Sequence, residues 1–526
     1  MYWLMGYVPF SARLAWQVRS ARGTFGRYNL ENLRASLPEI VSQASAFARR
    51  APAGKRIFLF ASIHYWIEYC SALGLALAAQ GQRVTLGYFP YSDYRKRTSR
   101  FDLRFQSYYT GRTLDPARPL MKCVDLLDVP PALSLPPELE QAVDKISVYD
   151  TQYVLLVEDV DRDCDFYRMR LAYNRRSAQA LLTLLRSEEP ELVLFPNGIV
   201  IEYGVAYEVA RYLKLPIVTF EFSEDRDQIW IAHDDEVMRQ NTDVLWQAYG
   251  KKALTKKQRQ RIEALEQARQ SARTYGKSDR LWQDIPPQGK QAVRDALGLD
   301  GRPVVLLATN VLGDSLILGR NVFCRSMADW ILRTIEYFGR NPESQLVVRV
   351  HPGERFMTGP SMVDIIAAQF PALPENVRVV GPLEKVNTYD ITAIARLGLA
   401  YTTTVGMEMV MAGVPVVVAG DTHYRGRGFT LDPASWEEYF GDIEQVLGGN
   451  AGGLPTRGQV ELAWNYAYRF FFEFPRPFPW KLGGFWNDYK AWPLERILGK
   501  EGTARFGASF RALVGEPIQW TDWDLN

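Results

Sequence analysis

Arginine, histidine and proline leave one apolar run together in LVVRVHP, residues 346–352. Period-2 alternation puts Val347, Arg349 and His351 on one face of a strand and Leu346, Val348 and Val350 on the other. A cation and an imidazole leaving a buried strand are costly without a partner, and a phosphate is such a partner. The bland alternative pairs Arg349 with a local carboxylate and lets His351 cap a loop. Pro352 ends the strand and aims His351. A second constellation is YTTTVGMEMVMAGVPVVVAG, residues 401–420. It reads as a strand end, a polar turn, a short helix and a buried strand. Thr403, Thr404 and Gly406 put hydroxyls and backbone N–H groups at the helix start, an anion site by position and dipole. Glu408 either complements that dipole or accepts from ribose hydroxyls beside a bound phosphate. GDTHYRGRGF follows, and Arg425 and Arg427 read as a flexible basic loop over a diphosphate or an acidic sugar, or else as a plain exposed loop. Asn310, with Thr309, ends an earlier apolar run.

The N-terminal half offers groups suited to a hydroxyl acceptor. His64 and Glu68 stand where a first strand turns into a helix. Asn197-Gly198 ends another strand, and Glu221 lies on the face of IVTFEF opposite Phe220 and Phe222. His64 and Glu221 are the candidate general bases. Glu224, Asp225 and Asp227 read as solvated loop acids. The Asp-x-Asp pairs of EDVDRDCD (158–165) could hold a divalent metal, but acids ahead of a helix are stabilising without one. The chain carries no phosphate-binding GxxxxGK[ST] loop, GxGxxG or GxSxG.

These residues need elements to hold them. Ile57–Ala61 and Arg83–Tyr88 read as strands around a helix ending near Gly81, a βαβ opening. Pro90–Pro137 reads as loops with short helices, QYVLLVEDV as a buried strand, and the stretch after it as a helix through Leu185. Leu192–Phe195, Tyr203–Leu213 and Ile217–Phe222 repeat strand, helix, strand. Residues 236–300 form a charged helical connector with one apolar edge at Ile262, Leu265 and Ala268. RPVVLLATN, a helix over Ser326–Phe338, SQLVVRV, NVRVV, Leu397–Tyr401 and Val414–Ala419 make a second α/β series. Parallel sheets covered on both faces follow. The expected class is α/β, GT-B-like, with two Rossmann-type domains facing a central cleft. The expected divisions are an aromatic and basic helical segment (1–54), an acceptor domain (55–235), the connector (236–300), a nucleotide-sugar domain (301–455) and an aromatic segment (456–526) packing back on the N-terminal domain.

A chain of 526 residues exceeds a single core. A net charge of +2 makes no global case for nucleic acid, and the basic run after residue 250 lacks interleaved aromatics. Cys70, Cys123, Cys164 and Cys324 form no CxxC and read as free thiols, all but Cys123 in helical stretches. No apolar run reaches the ~18 residues of a spanning helix. The first thirty residues lack signal-peptide order. They mix aromatics with Arg13, Arg19, Arg22 and Arg27, which fits a helix at a membrane interface or one packed on the protein's own body.

The run RVHPGE … NTYDITAIARLGLAYTTTVGMEMVMAGVPVVVAG … HYRGRGFT resembles bacterial capsule polysaccharide biosynthesis proteins, among them transferases using CMP-Kdo, and more broadly GT-B glycosyltransferases. The resemblance covers roughly residues 300–435. It implies that His351-Pro352, Thr403-Thr404-Gly406 and Glu408 hold the nucleotide of a sugar donor. The expectation is a glycosyltransferase moving sugar from a nucleotide-sugar, CMP by family with UDP or GDP open, to a hydroxyl of a glycan or glycolipid. Arg349, His351, the Thr403–Gly406 turn and Arg425 or Arg427 would stabilise the leaving phosphate in place of a metal, with no resident cofactor. The expected location is the cytoplasm or the inner face of the membrane. The alternatives are a sugar-nucleotide 2-epimerase and a non-catalytic component of polysaccharide assembly or export.

Overall fold

The computed structural model describes residues 5–8, 10–132, 134–225, 227–277, 282, 284–450 and 452–524. Residues 1–4 of the expected N-terminal segment lie outside them. The chain divides into two units. Unit 1 gathers residues 1–151, 161–238 and 475–519, and unit 2 gathers 152–160, 239–474 and 520–526.

In unit 1, β1 (Arg56–Ser62), β2 (Arg83–Phe89), β3 (Met121–Asp125), β4 (Leu192–Pro196) and β5 (Ile217–Phe222) form a parallel sheet in the order β3-β2-β1-β4-β5. β6 (Gln228–His233) turns back antiparallel beside β5, and β12 (Arg476–Pro477) adds an antiparallel edge. β1 is buried from Ile57 to Ser62, as a central strand covered on both faces must be. Sequence patterning missed β3, β6 and β12. β3 is a short edge strand with Lys122 exposed, and β6 carries only Ile229 and Ile231 inward.

QYVLLVEDV is not a strand. Pro137–Leu155 is one helix, and Leu139, Val143, Ile146 and Asp150 line its buried face at helical spacing. The apolar nonapeptide shows only its end. Two of the acids that follow have partners within the chain. Glu158 accepts from the N–H groups of Met327 (3.0 Å) and Ala328 (2.6 Å), capping the helix Met327–Arg340. Asp163 pairs with Arg168 at 2.8 Å.

Unit 2 repeats the order of unit 1. β7 (Val304–Ala308), β8 (Gln345–Arg349), β9 (Val377–Val380), β10 (Ala395–Ala400) and β11 (Val416–Val418) are all parallel, arranged β9-β8-β7-β10-β11. One core binds Val305, Leu307, Trp330, Ile335, Val348 and Leu399. From Arg239 onward the expected connector belongs to this unit, with helices Asp243–Tyr249, Lys256–Gln270 and Lys290–Leu297. Ile262, Leu265 and Ala268 are buried, but so are Glu266 and Arg269, which a solvated helix would expose. The expected C-terminal segment divides as well. Residues 456–474 and 520–526 go with unit 2, and only 475–519 go with unit 1.

Cys70 lies in the helix His64–Ala79. Cys164 instead caps the helix Asp165–Glu188, and Cys324 sits in a bend before the helix Met327–Arg340. All four are free thiols. Among the described residues, no helix is long and apolar enough to cross a membrane.

Candidate functional site

In a sheet ordered 3-2-1-4-5 the connections leave the first and fourth strands toward opposite faces, opening a crevice at their carboxyl ends. In unit 2 those strands are β7 and β10. Asn310, just past β7, accepts from the N–H of Thr402, just past β10, at 3.1 Å. Thr309 Oγ1 accepts from the N–H of His351 beyond β8, at 3.0 Å. Three strand ends are thus tied together around Thr309-Asn310.

His351 Nδ1 accepts from the N–H of Gly353 at 3.0 Å, capping the 3₁₀ turn Pro352–Phe356 that Pro352 opens. In the neutral ring that bond puts the proton on Nε2, making it a donor. The Trp282 ring lies 5.8 Å away.

Other predicted donor contacts have different work. Arg349 is 2% exposed and directs its guanidinium into the chain. It donates to the carbonyls of Gly381 (2.6 Å) and Val386 (3.2 Å) and to Thr388 Oγ1 (3.5 Å). Burial lowers its pKa to about 10. The costly cation expected to need a phosphate is satisfied by backbone carbonyls. Arg425 donates to the carbonyls of Val418 (2.8 Å), Asp432 (2.9 Å) and Pro433 (2.5 Å). Arg427 pairs with Asp243 at 2.5 Å and donates to Thr242 Oγ1. The loop is braced rather than open.

Glu408 is 1% exposed and receives Arg269 at 2.5 Å and the Tyr389 hydroxyl at 2.8 Å, so both carboxylate oxygens hold protein partners. Gly406 makes room for a side chain and not for a ligand. A Cβ there would stand 2.2 Å from the Tyr424 hydroxyl, which donates to the Thr403 carbonyl at 2.7 Å. Thr404 is the N-cap of the helix Val405–Met411 without a side-chain cap bond, and Thr403 Oγ1 accepts from Val405 N–H at 3.4 Å.

Two residues outside the predicted set stand near these strand ends: Thr402, and His423, whose neighbour Thr422 donates to the Thr402 carbonyl at 3.4 Å. Thr402 Oγ1 and His423 Nε2 are buried with no hydrogen-bond partner among the described residues. Such atoms call for an explanation, and a ligand is one. The His423 ring stacks on Phe470 at 3.9 Å, and its Nδ1 lies 2.9 Å from the Tyr466 hydroxyl. Tyr466 donates its single proton to the His423 carbonyl at 2.6 Å, so Nδ1 carries a proton and Nε2 is an acceptor. Burial first, then Arg320 and Arg427, hold its pKa far below the ordinary imidazole value. The two imidazoles therefore have opposite polarity: His351 gives and His423 takes. Their sequence signal was only their position just past strand ends.

In unit 1, His64 opens a helix, and its Nδ1 is buried with no partner among the described residues. Burial lowers its pKa, which favours the neutral ring. Ile63 before it has φ 74°, strained for a β-branched residue. Glu221 is the penultimate residue of β5, taking the N–H of Phe222 at 3.0 Å and Asn197 Nδ2 at 3.4 Å. Burial raises its pKa against those bonds and Lys481. Glu68 is raised to about 7, by burial first, with the Trp486 indole at 3.3 Å opposing.

Residues 253–439 match the family model described as capsule polysaccharide biosynthesis protein. The resemblance read from the motifs is borne out there, and it reaches into the helical connector. No curated protein matches the chain in sequence. Among solved structures, a beta Kdo 2,4 transferase, KpsC of Thermosulfurimonas dismutans, is 17% identical, with 55% of this chain and 82% of that one covered and a TM-score of 0.35. The UDP-GlcNAc 2-epimerase of Neisseria meningitidis is 13% identical, covering 79% and 97%, at 0.26. The Streptomyces sp. SF2575 glycosyltransferase SsfS6 is 12% identical, covering 79% and 96%, at 0.22. Likenesses this distant assign no role to any residue.

Proposed function

We propose that the chain is a glycosyltransferase of capsule polysaccharide synthesis. It moves a sugar from a nucleotide-sugar to a hydroxyl of a glycan or glycolipid, at the inner face of the membrane. The observation that carries this is the β7/β10 crevice. It gathers Asn310, His351, Thr402, Thr403, Thr404 and His423 at strand ends, within the segment that matches the capsule family model.

The donor nucleotide lies against that crevice. An acceptor oxygen forms a bond to the anomeric carbon as the bond from that carbon to the phosphate oxygen breaks. The phosphate leaves with the electron pair, and a base takes the acceptor's proton. His351 Nε2–H donates to the phosphate as its charge grows, and His423 Nε2 accepts from a donor hydroxyl. Arg349, Arg425, Arg427 and Glu408 act one step back, holding the loops that bear these groups. The acceptor-side candidates for the base are His64 and Glu221, the latter made a better proton acceptor by its raised pKa. Hydrogen-bond donors take the place of a metal, and no resident cofactor takes part. CMP is the preferred nucleotide, by the resemblance.

The test incubates the protein with CMP-, UDP- and GDP-sugars and a capsule glycan acceptor, with and without chelator. The proposal expects free nucleotide and an elongated acceptor, unchanged by chelator. An epimerised sugar with its nucleotide bond intact would mean a 2-epimerase. Neither binding nor turnover of any nucleotide-sugar would mean a non-catalytic component of polysaccharide assembly.

A further inference from the structure

The helix Ser11–Arg22 of unit 1 buries one face and leaves the other apolar and open. Ala12, Ala15 and Trp16 pack on a cluster of Phe25, Tyr28, Leu30, Phe105 and Tyr109. Arg19 lies over the Phe105 ring at 4.4 Å. On the other side Phe10 is 76% exposed, Leu14 59% and Val18 42%, four residues apart along one stripe. Tyr7, at 54%, and Val8, at 51%, extend it. Elsewhere among the described residues Val244, Phe356, Met357 and Leu383 are as exposed, but only Phe356 and Met357 adjoin.

The charge around the stripe has one sign. At 3.6 residues per turn, Arg13 falls about 100° to one side of Leu14 and Arg22 about 40° beyond Val18 on the other. Both are exposed. Residues 1–30 contain four arginines and no Asp or Glu. A second basic segment is fastened alongside. Arg104 donates to the carbonyls of Gly6 (2.9 Å) and Val8 (3.1 Å), and Arg100 lies over the Tyr7 ring at 4.3 Å. The exposed run Arg95-Lys96-Arg97 lies just ahead of Arg100 in the chain. That stretch stays basic on balance, with Arg95, Lys96, Arg97, Arg100 and Arg104 against Asp93 and Asp102.

An apolar ridge flanked by arginines, with further basic charge beside it, is complementary to a surface that is anionic outside and hydrocarbon within. We propose that this face of unit 1 docks on an anionic phospholipid bilayer. Phe10, Leu14 and Val18 enter the headgroup boundary, and Arg13, Arg22 and the 95–97 run meet lipid phosphates. The inference deepens the membrane-proximal part of the function proposed above. It does not depend on the transfer chemistry.

The test is flotation of the full chain with vesicles of phosphatidylglycerol and phosphatidylethanolamine, against phosphatidylcholine alone, at low and high salt. Two double variants accompany it, Leu14→Asp with Val18→Asp and Arg13→Glu with Arg22→Glu. Their thermal unfolding without lipid checks the fold, and Phe10→Ser replaces either one that is unfolded. Flotation with the anionic vesicles, weakened by salt and reduced at least about tenfold in each variant, is expected. No flotation, or flotation equal in wild type and variants, overturns the proposal. So does light scattering that shows a dimer broken by the Leu14→Asp pair, which would make a second copy the occupant. Transfer to a water-soluble acceptor should be unchanged in the variants, so the lipid reading and the transferase reading can fail separately.

Discussion

Arg349 and His351 leave the same strand, yet the structure gives them opposite roles. Removing Arg349 strands the carbonyls of Gly381 and Val386 inside the protein. Arg349→Ala should lower stability by about 2–4 kcal/mol in denaturant unfolding. His351→Ala loses one cap bond and should cost only about 1 kcal/mol, while donor binding falls. Equal costs for the two would return Arg349 to the surface of the site. Glu68 gives a pH signature. Its pKa rises on folding from 4.5 to about 7, through burial first. The folded state then holds the proton longer, so stability should fall as pH climbs from about 4.5 to about 7 and level off above. The drop is at most about 3 kcal/mol. Unfolding free energies at both ends of that window should lose this slope in Glu68→Gln. The sequence showed that polar groups stand at strand ends. It did not show which were already satisfied, because the carbonyls that take up Arg349 lie more than thirty residues away.

At the scale of elements, the short helix Val405–Met411 is fixed from outside. Tyr424 reaches over Gly406 to the Thr403 carbonyl, and Arg269 from another helix pairs with Glu408. Gly406→Ala would drive a methyl into the Tyr424 hydroxyl, 2.2 Å away. It should lower the melting temperature, at a cost of about 1–3 kcal/mol. An unchanged melting temperature would show that Tyr424 can yield and would return Gly406 to the anion site expected at the helix start. Strand, turn, helix and strand over 395–418 were legible because residues 397–400 and 416–418 are continuous buried runs. QYVLLVEDV misled: nine apolar-rich residues read as a strand, while the helix that takes in the first of them begins fifteen residues earlier at Pro137. Arg269 was hidden inside a basic run whose charge suggested a solvated face.

At the scale of the whole molecule, the two sheets share one strand order, and each opens a crevice between its first and fourth strands. The doubled α/β plan was legible because β1, β4, β7 and β8 are short buried runs separated by helical stretches. The segment boundaries were less so. Unit 1 is assembled from three stretches of chain, and residues 475–519 return to add β12 beside β6. No local pattern announces a pairing between residues nearly 250 positions apart. A nucleotide bound at the proposed β7/β10 site would stabilise the whole unit that holds it. The most direct test is thermal unfolding of wild type, His351→Ala and His423→Phe with saturating CMP, UDP, GDP or no nucleotide. A ligand at ~100 times its dissociation constant adds ~2.7 kcal/mol to the state that binds it. The melting temperature should rise with one nucleotide, CMP first, and the rise should be lost in His351→Ala and reduced in His423→Phe. No rise with any nucleotide, or an equal rise in all three proteins, would contradict the proposed site.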